Sequence, residues 1–314
     1  MMALDPVILF FLLGVAAGLA RSDLRIPSAI YDFLSIYLLL AIGLKGGVEL
    51  AKYPLLPLLP KMVAVVLLGV VLPVIAYPVL RSAGRFKRAD AASIAAHYGS
   101  VSMGTYAVAL AYLGTQQVEY ESYMTLFLVL LEMPAIIVGV VLARGIAAHT
   151  QWGRLAHEVF TGKAIVCLLG GLFIGWIAGQ DGLASIDGFF FDLFRGMLAL
   201  FLLEMGLLCA AQMSTLRRYG LFLIAFGVLM PLFAAVLGCA LGRFLDLSLG
   251  GTALLTVLAA SASYIAVPAA MRISVPEANP ALSLAASLGV TFPFNVTLGI
   301  PLYLQMARWI HGLT

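Results

Sequence analysis

The chain has 314 residues and a formal charge of +3, and its mean hydropathy is +1.07. Apolar and aromatic residues make up 63% of it and charged residues only 11%, less than half of the roughly 25% that soluble domains carry. This composition excludes soluble enzymes and nucleic-acid-binding proteins, and it predicts a membrane protein that acts inside the lipid bilayer.

Ten apolar runs, separated by charged or Pro/Gly-rich breaks, predict membrane-spanning helices. In chain order they cover roughly residues 6–20, 29–50, 62–80, 89–113, 123–144, 164–179, 189–213, 219–241, 249–271 and 283–306. Lys and Arg concentrate in alternate connections, such as 21–25, 81–88 and 144–163, and loops rich in these residues face the cytoplasm. We therefore predict a plasma (inner) membrane protein with both termini on the non-cytoplasmic side.

The two halves of the chain, 1–150 and 151–314, share short motifs in the same order, at offsets of 157 to 163 residues. The matched pairs are Gly14/Gly18 with Gly171/Gly175, 42–44 with 205–207, 100–102 with 261–263, and Pro134 with Pro293. A unit of five spans is odd in number, so its second copy inserts upside down. The pattern predicts two inverted five-helix repeats.

A Ser-x-Ser pair lies near the middle of the fourth run and of the ninth run, about 17 Å from the start of each. Gly99 and Gly104 flank the first pair, and Pro268 follows the second, so both helices are predicted to break. Half-helix N-termini and Ser hydroxyls donate hydrogen bonds to anions. The pattern favours a small-anion site, with close helix packing by small residues as the alternative.

A cation is expected beside this anion, because no Lys or Arg is predicted at the same depth and opposite charges stabilise each other in a low dielectric. Na⁺ and H⁺ are both candidates. Glu132 and Glu204 are carboxylates within predicted spans, and such residues are usually functional, although Glu132 has a structural alternative as a cap for the backbone opened by Pro134. The candidate sodium ligands are Ser102, Thr105, Glu132, Thr291 and Asn295.

A catalytic role is not predicted for any residue. His97 precedes the first Ser pair, but no Asp or Asn orients it as a nucleophile requires, so we interpret it as a hydrogen-bonded helix histidine. A purely structural or assembly protein is another class, but such a protein does not need polar residues that interrupt its membrane helices at matching depth in both halves. The sequence therefore predicts no organic cofactor, no metal beyond sodium and no nucleic-acid partner.

Five segments, 43–47, 96–102, 131–136, 259–272 and 287–295, resemble the sodium-dependent bicarbonate transporter family known from cyanobacterial carbon concentration. The resemblance implies an all-α membrane protein of about ten transmembrane helices, with two broken, crossing helices, a core domain, a gate domain and a homotrimer. It also implies that bicarbonate binds between the broken helices. The residues at these positions are Gly99, Ser100, Val101, Ser102, Ser261, Ala262, Ser263 and Tyr264.

The expected function is a secondary active transporter that imports bicarbonate with co-transported sodium. We expect spans 3–5 and 8–10 to form the core, and spans 1–2 and 6–7, with their Gly-x-x-x-Gly faces, to form the gate and the subunit contacts. About 19 residues separate Arg144 from Ala164, where the cyanobacterial members carry a long insertion, which weakens the expectation of a PII-like regulatory partner. The alternatives are a sodium- or proton-coupled transporter of another small anion and a proton-coupled exchanger on the same fold.

Overall fold

The structure, a computed structural model, describes residues 6–51, 56–144, 153, 157 and 160–313. Helices account for 84% of these residues, and the described segments contain no β-strand. Seven of their helices are long and apolar enough to span a membrane. The connection on which the PII-like partner depends lies largely outside the described residues.

Besides shorter helical turns, twelve helices of nine or more residues are described, six in each half of the chain. In the first half they are α1 (Pro6–Leu19), α2 (Ser28–Leu50), α3 (Leu59–Ser82), α4 (Arg88–Gly99), α5 (Met103–Thr115) and α6 (Met124–Arg144). In the second half they are α7 (Lys163–Leu183), α8 (Phe194–Tyr219), α9 (Leu221–Phe244), α10 (Leu249–Ala260), α11 (Ala266–Ser274) and α12 (Pro280–Ile310). The fourth and ninth apolar runs are thus each divided, into α4/α5 and α10/α11, as predicted.

One group of helices consists of two closely packed pairs, α1 with α8 and α2 with α7. Glycines make this approach possible, because a Cβ on Gly14 would lie 3.0 Å from the carbonyl carbon of Leu203, and one on Gly175 would lie 2.9 Å from that of Leu44. Small residues allow such contact between backbones in membrane helices. The Gly-x-x-x-Gly faces are therefore filled by contacts within one chain.

The second group surrounds the divided helices. In the first half α3 packs on α4 and α6, and in the second half α10 packs on α9 and α12. The first half-helix of each divided pair, α4 or α10, also begins against a loop of the other half. The carboxylate of Asp90, in the first turn of α4, accepts a hydrogen bond from the N–H of Asn279 (2.8 Å), and Glu121 accepts from the N–H (2.6 Å) and hydroxyl (2.8 Å) of Ser248 at the start of α10. These exchanged contacts interlock the two halves.

The last helix, α12, contains two π-helical segments, Ser287–Thr291 and Asn295–Gly299. A π turn adds a residue to the helical repeat and occurs frequently at functional sites. Thr291 closes the first segment and Asn295 opens the second, and both side chains are completely buried. The widened turns aim two polar side chains of an apolar helix toward the divided helices.

Candidate functional site at two helix breaks

The first break lies between α4 and α5. Ser100 is extended (φ −99°, ψ −178°), and Ser102 caps the N-terminus of α5, where its Oγ accepts a hydrogen bond from the N–H of Thr105 (3.1 Å). Gly99 is required by its surroundings, because a Cβ there would lie 2.7 Å from the ring of Pro73 on α3 and 2.9 Å from Ala135 on α6. The break is therefore held between two helices in the protein interior.

The second break lies between α10 and α11. Ser261 is extended (φ −86°, ψ 166°), and the hydroxyl oxygen of Ser263 accepts a hydrogen bond from the N–H of Val267 (3.4 Å) in the first turn of α11. Ser261, Ala262, Ser263 and Tyr264 are all buried. Each of the two breaks thus places a serine at the start of a half-helix.

The two breaks contact each other directly. The N–H of Ser102 donates to the hydroxyl oxygen of Ser261 (3.0 Å), and the N–H of Ser263 donates to the carbonyl of His97 (2.9 Å). The predicted substrate residues are thereby brought together in two adjoining segments of backbone, 99–102 and 261–264. Ser102 and Ser261, which are 159 residues apart along the chain, thus become hydrogen-bond partners where the two breaks meet.

The four serine hydroxyls differ in what remains available to a ligand. Ser261 donates to the carbonyl of Leu258 (2.9 Å), and Ser100 reaches the carbonyl of Glu132 (3.4 Å). Ser102 instead accepts hydrogen bonds, from the N–H and the hydroxyl of Thr105, and Ser263 also accepts. Among the described residues, the hydroxyl of Ser102 therefore has the neighbouring Tyr264 hydroxyl as its candidate acceptor, whereas the hydroxyl proton of Ser263 has no acceptor and is available to an anion.

A small cavity of about 20 Å³ lies at the N-terminal ends of α5 and α11. Met103, Gly104 and Ile265 line it on the side of the breaks. The opposite wall comes from α2 and α8 and consists of Ser35, Leu38, Leu39, Ile42 and Phe201. The cavity thus separates the group of paired helices from the group that contains the breaks.

Glu132 lies on α6 next to the first break. Its side chain is 1% exposed, and neither carboxylate oxygen has a hydrogen-bond partner in the described part of the chain. The alternative role as a cap for the backbone opened by Pro134 is wrong, since that role requires a hydrogen bond to the carboxylate. An unpaired carboxylate in a membrane interior is costly as an anion and is stabilised by a bound cation or proton.

Thr291 and Asn295 brace the half-helices. The hydroxyl of Thr291 donates to the carbonyl of Gly227 (2.6 Å) and accepts from Tyr98 on α4 (2.7 Å). The amide of Asn295 donates to the carbonyl of Ala260, the last residue of α10 (2.9 Å), and its oxygen accepts from Tyr303 (2.7 Å). Within the described segments, no hydrogen bond joins either of these candidate sodium ligands to Glu132.

Two side chains that the sequence analysis left out of the site belong to its framework. Tyr98 and Tyr303 are both buried. In the sequence, a hydroxyl-bearing side chain within an otherwise apolar helix was the only local feature that pointed to either residue. The interpretation of His97 as a hydrogen-bonded helix histidine is confirmed, because its Nδ1 lies 2.7 Å from the carbonyl of Ser93. Glu204, on α8, receives a hydrogen bond from the backbone of Ile26.

The described residues contain no group of three or more His, Cys, Asp or Glu side chains able to hold a metal ion. Comparison with curated proteins gives no significant match. A family model described as the Na⁺-dependent bicarbonate transporter superfamily matches residues 6–308 of the 314. This match covers nearly the whole chain, including both helix breaks. The protein therefore belongs to the Na⁺-dependent bicarbonate transporter superfamily.

Proposed function

We propose that this protein is a secondary active transporter that imports bicarbonate coupled to a sodium gradient. The observation that carries the proposal is the contact between two buried helix breaks, each of which places a serine hydroxyl at the start of a half-helix. Half-helix N-termini also present N–H groups and a positive dipole end to an anion. Family membership supports bicarbonate and Na⁺ as the ions.

Bicarbonate binds, in this proposal, between Gly99–Ser102 and Ser261–Tyr264, with Ser102 and Ser263 as its hydroxyl donors. None of the described Lys or Arg side chains is buried, so the anion's charge is balanced by dipoles and by a neighbouring cation. Two opposite charges in a low dielectric stabilise each other. This is the physical reason for coupling bicarbonate to sodium.

Sodium binds next to the first break, with Glu132 supplying the negative charge. Thr105 contributes a hydroxyl oxygen with both lone pairs available, because its hydroxyl donates to Ser102 (2.8 Å). The oxygen of Ser102 accepts two hydrogen bonds from Thr105, and sodium replaces one of them in this proposal. Thr291 completes the proposed set with its hydroxyl oxygen, and Asn295 with the carbonyl oxygen of its side-chain amide. Hard cations prefer such oxygen ligands. The oxygen of Asn295 accepts one hydrogen bond, from Tyr303, and a second lone pair remains for a cation.

Transport proceeds, we propose, by movement of a core against a gate. The gate consists of α1, α2, α7 and α8, and the core consists of α3–α6 and α9–α12, so that each inverted repeat (1–150 and 151–314) contributes to both. The close pairing of α1 with α8 and of α2 with α7 supports this division. Ten spans, a homotrimer and non-cytoplasmic termini belong to the same proposal.

A proton-coupled exchanger on this fold is the second candidate, but it requires titrating acids where the broken helices meet. The side chains at that contact are Ser102 and Ser261. Serine hydroxyls do not titrate at physiological pH, so the contact supports an anion site without proton exchange. A transporter of another small anion is the remaining alternative. Inhibition of labelled bicarbonate uptake by other small anions tests it.

Uptake of labelled bicarbonate into proteoliposomes tests the proposed function. We expect accumulation with an inward Na⁺ gradient, and little uptake when the same gradient is imposed with K⁺. A proton gradient applied without Na⁺ should drive bicarbonate uptake only if the protein is the proton-coupled exchanger. Uptake driven equally by all three gradients, or by none of them, would contradict sodium-coupled bicarbonate import.

A further inference from the structure

We propose that Phe201, a residue of α8, forms the closing wall of the anion site and sets the size of the anion that the transporter accepts. This inference rests on the proposed function, because it assigns a selectivity role at the same site. It concerns the side of the cavity opposite the helix breaks.

Phe201 lies directly against the start of α5. Its ring carbon Cε1 is 3.0 Å from the position that a Cβ on Gly104 would occupy, and the side chain is 2% exposed. Gly104 is the second residue of α5, and its backbone N–H, one of the four that a helix N-terminus leaves without an intrahelical partner, lies beside the hydroxyl of Tyr264. The ring therefore covers the N-terminal end of this half-helix.

The ring is held by helices outside the breaks. Tyr31 on α2 stacks on Phe201, with ring centroids 5.8 Å apart and an angle of 13° between the planes. One turn further along α2, the hydroxyl of Ser35 donates to the carbonyl of Tyr31 (2.8 Å), and Ser35 lines the cavity beside Phe201. Because α2 and α8 support the ring from the gate side, it follows the gate and not the half-helix.

On the other side of Gly104 lies Tyr264, from the second break. Its hydroxyl lies against Gly104, and its ring packs edge-on against Phe292 (5.4 Å between centroids). Gly104 is thus enclosed by a tyrosine of the core and a phenylalanine of the gate. Phe292 also lies close to the Cβ position of Gly104 (3.3 Å) and packs edge-on against Phe11 of α1 (5.7 Å between centroids), but Phe201 is the gate side chain that lies directly against Gly104.

The volume of the cavity explains why this wall is decisive. A space of about 20 Å³ holds roughly one water molecule, so an oxyanion with four heavy atoms requires one wall of the cavity to withdraw, and in this inference Phe201 is the wall that moves. Most of the lining is apolar, since Leu38, Leu39, Ile42, Met103, Phe201 and Ile265 contribute to it. Removing the ring leaves an apolar space beside the anion site, which suits the alkyl chain of a short carboxylate.

Competition experiments in proteoliposomes test this inference. Uptake of labelled bicarbonate at fixed Na⁺ is measured against rising acetate, propionate and butyrate for wild type, Phe201→Ala and Phe201→Leu. We expect propionate and butyrate to inhibit Phe201→Ala at concentrations about tenfold or more below those needed for wild type, with Phe201→Leu between them. Phe233→Ala is the matched control, because that ring, on α9, is 45% exposed; its inhibition curves should follow wild type.

A second measurement does not depend on transport. In detergent with Na⁺, propionate should raise the thermal unfolding midpoint of at least one of the two variants, Phe201→Ala and Phe201→Leu, because a ligand stabilises the state that binds it. The midpoint of the wild-type protein should not change. Equal inhibition curves and equal midpoint shifts for wild type and both variants would overturn the role of Phe201. Wild-type protein without Na⁺-driven bicarbonate uptake would instead overturn the proposed function, and the midpoint shifts would still decide the inference.

Discussion

Two serines that cap half-helices, Ser102 at the first break and Ser248 at the start of α10, differ in their remaining contacts. Ser102 and Ser248 cap half-helices in the same way, with Oγ accepting from Thr105 and from Gly251, each at 3.1 Å. Ser102 lies at the contact between the breaks, whereas the hydroxyl of Ser248 donates to Glu121. Substituting Ser102 and Ser248 separately therefore distinguishes the effect of losing a helix cap from the effect of losing a hydrogen-bond donor to the anion.

Ser102→Ala should lower bicarbonate uptake about tenfold or more, because a hydrogen bond to a charged partner is worth about 1.5 to 3 kcal/mol. The lost cap costs about 1 kcal/mol of stability and should lower the thermal unfolding midpoint no more than Ser248→Ala does. Uptake and unfolding are measured on the same preparations. Equal uptake by the two variants would remove Ser102 from the anion site.

Glu132→Gln should raise the Na⁺ concentration for half-maximal uptake about tenfold or more, since even indirect support of a metal site is worth 10 to 100-fold. The neutral amide leaves the charge of the cation uncompensated in the membrane interior. Glu277→Gln is the control, because Glu277 forms an exposed ion pair with Arg144 (3.5 Å). An unchanged Na⁺ requirement in Glu132→Gln would exclude this carboxylate as a sodium ligand.

At the scale of helices, the α2–α7 pair depends on direct contact between backbones. Gly170 and Gly175 lie on the same helix, α7, but a Cβ on Gly170 meets no atom within 4 Å, whereas one on Gly175 lies 2.9 Å from the carbonyl carbon of Leu44. Only the second glycine is required by packing. The two positions therefore form a matched pair for measuring how strongly the helices are held together.

Gly175→Ala should destabilise the protein by about 1 to 3 kcal/mol through overpacking. Gly170→Ala should be neutral or stabilise it by up to about 1 kcal/mol, because alanine favours a helix interior over glycine. Thermal unfolding in detergent measures both. If the two substitutions had the same effect, the close approach of α2 and α7 would not be needed for stability.

For the whole molecule, alternating access requires that the site between the breaks opens to one side at a time. In a background with Cys167, Cys209 and Cys239 replaced by Ala, a cysteine introduced by Ala262→Cys should react with a membrane-impermeant thiol reagent. We expect the reactive side to change with Na⁺ and bicarbonate. Ser22→Cys, in the exposed loop between α1 and α2, should react from one side regardless of ligand. Equal, ligand-independent reaction of Ala262→Cys from both sides would indicate a channel.

The sequence by itself determined the membrane class, the helical character and the positions of both breaks. These properties depend on local features: apolar runs, glycine, proline and the Ser-x-Ser pairs. Only the tertiary structure decided that the two breaks meet at Ser102 and Ser261, that Thr291 and Asn295 brace half-helices, and that Phe201 lies against the start of α5. The reason is physical: hydrogen-bond partners and cavity walls come from residues far apart in the chain, such as Ser102 and Ser261, and no local pattern records which groups meet when the helices pack.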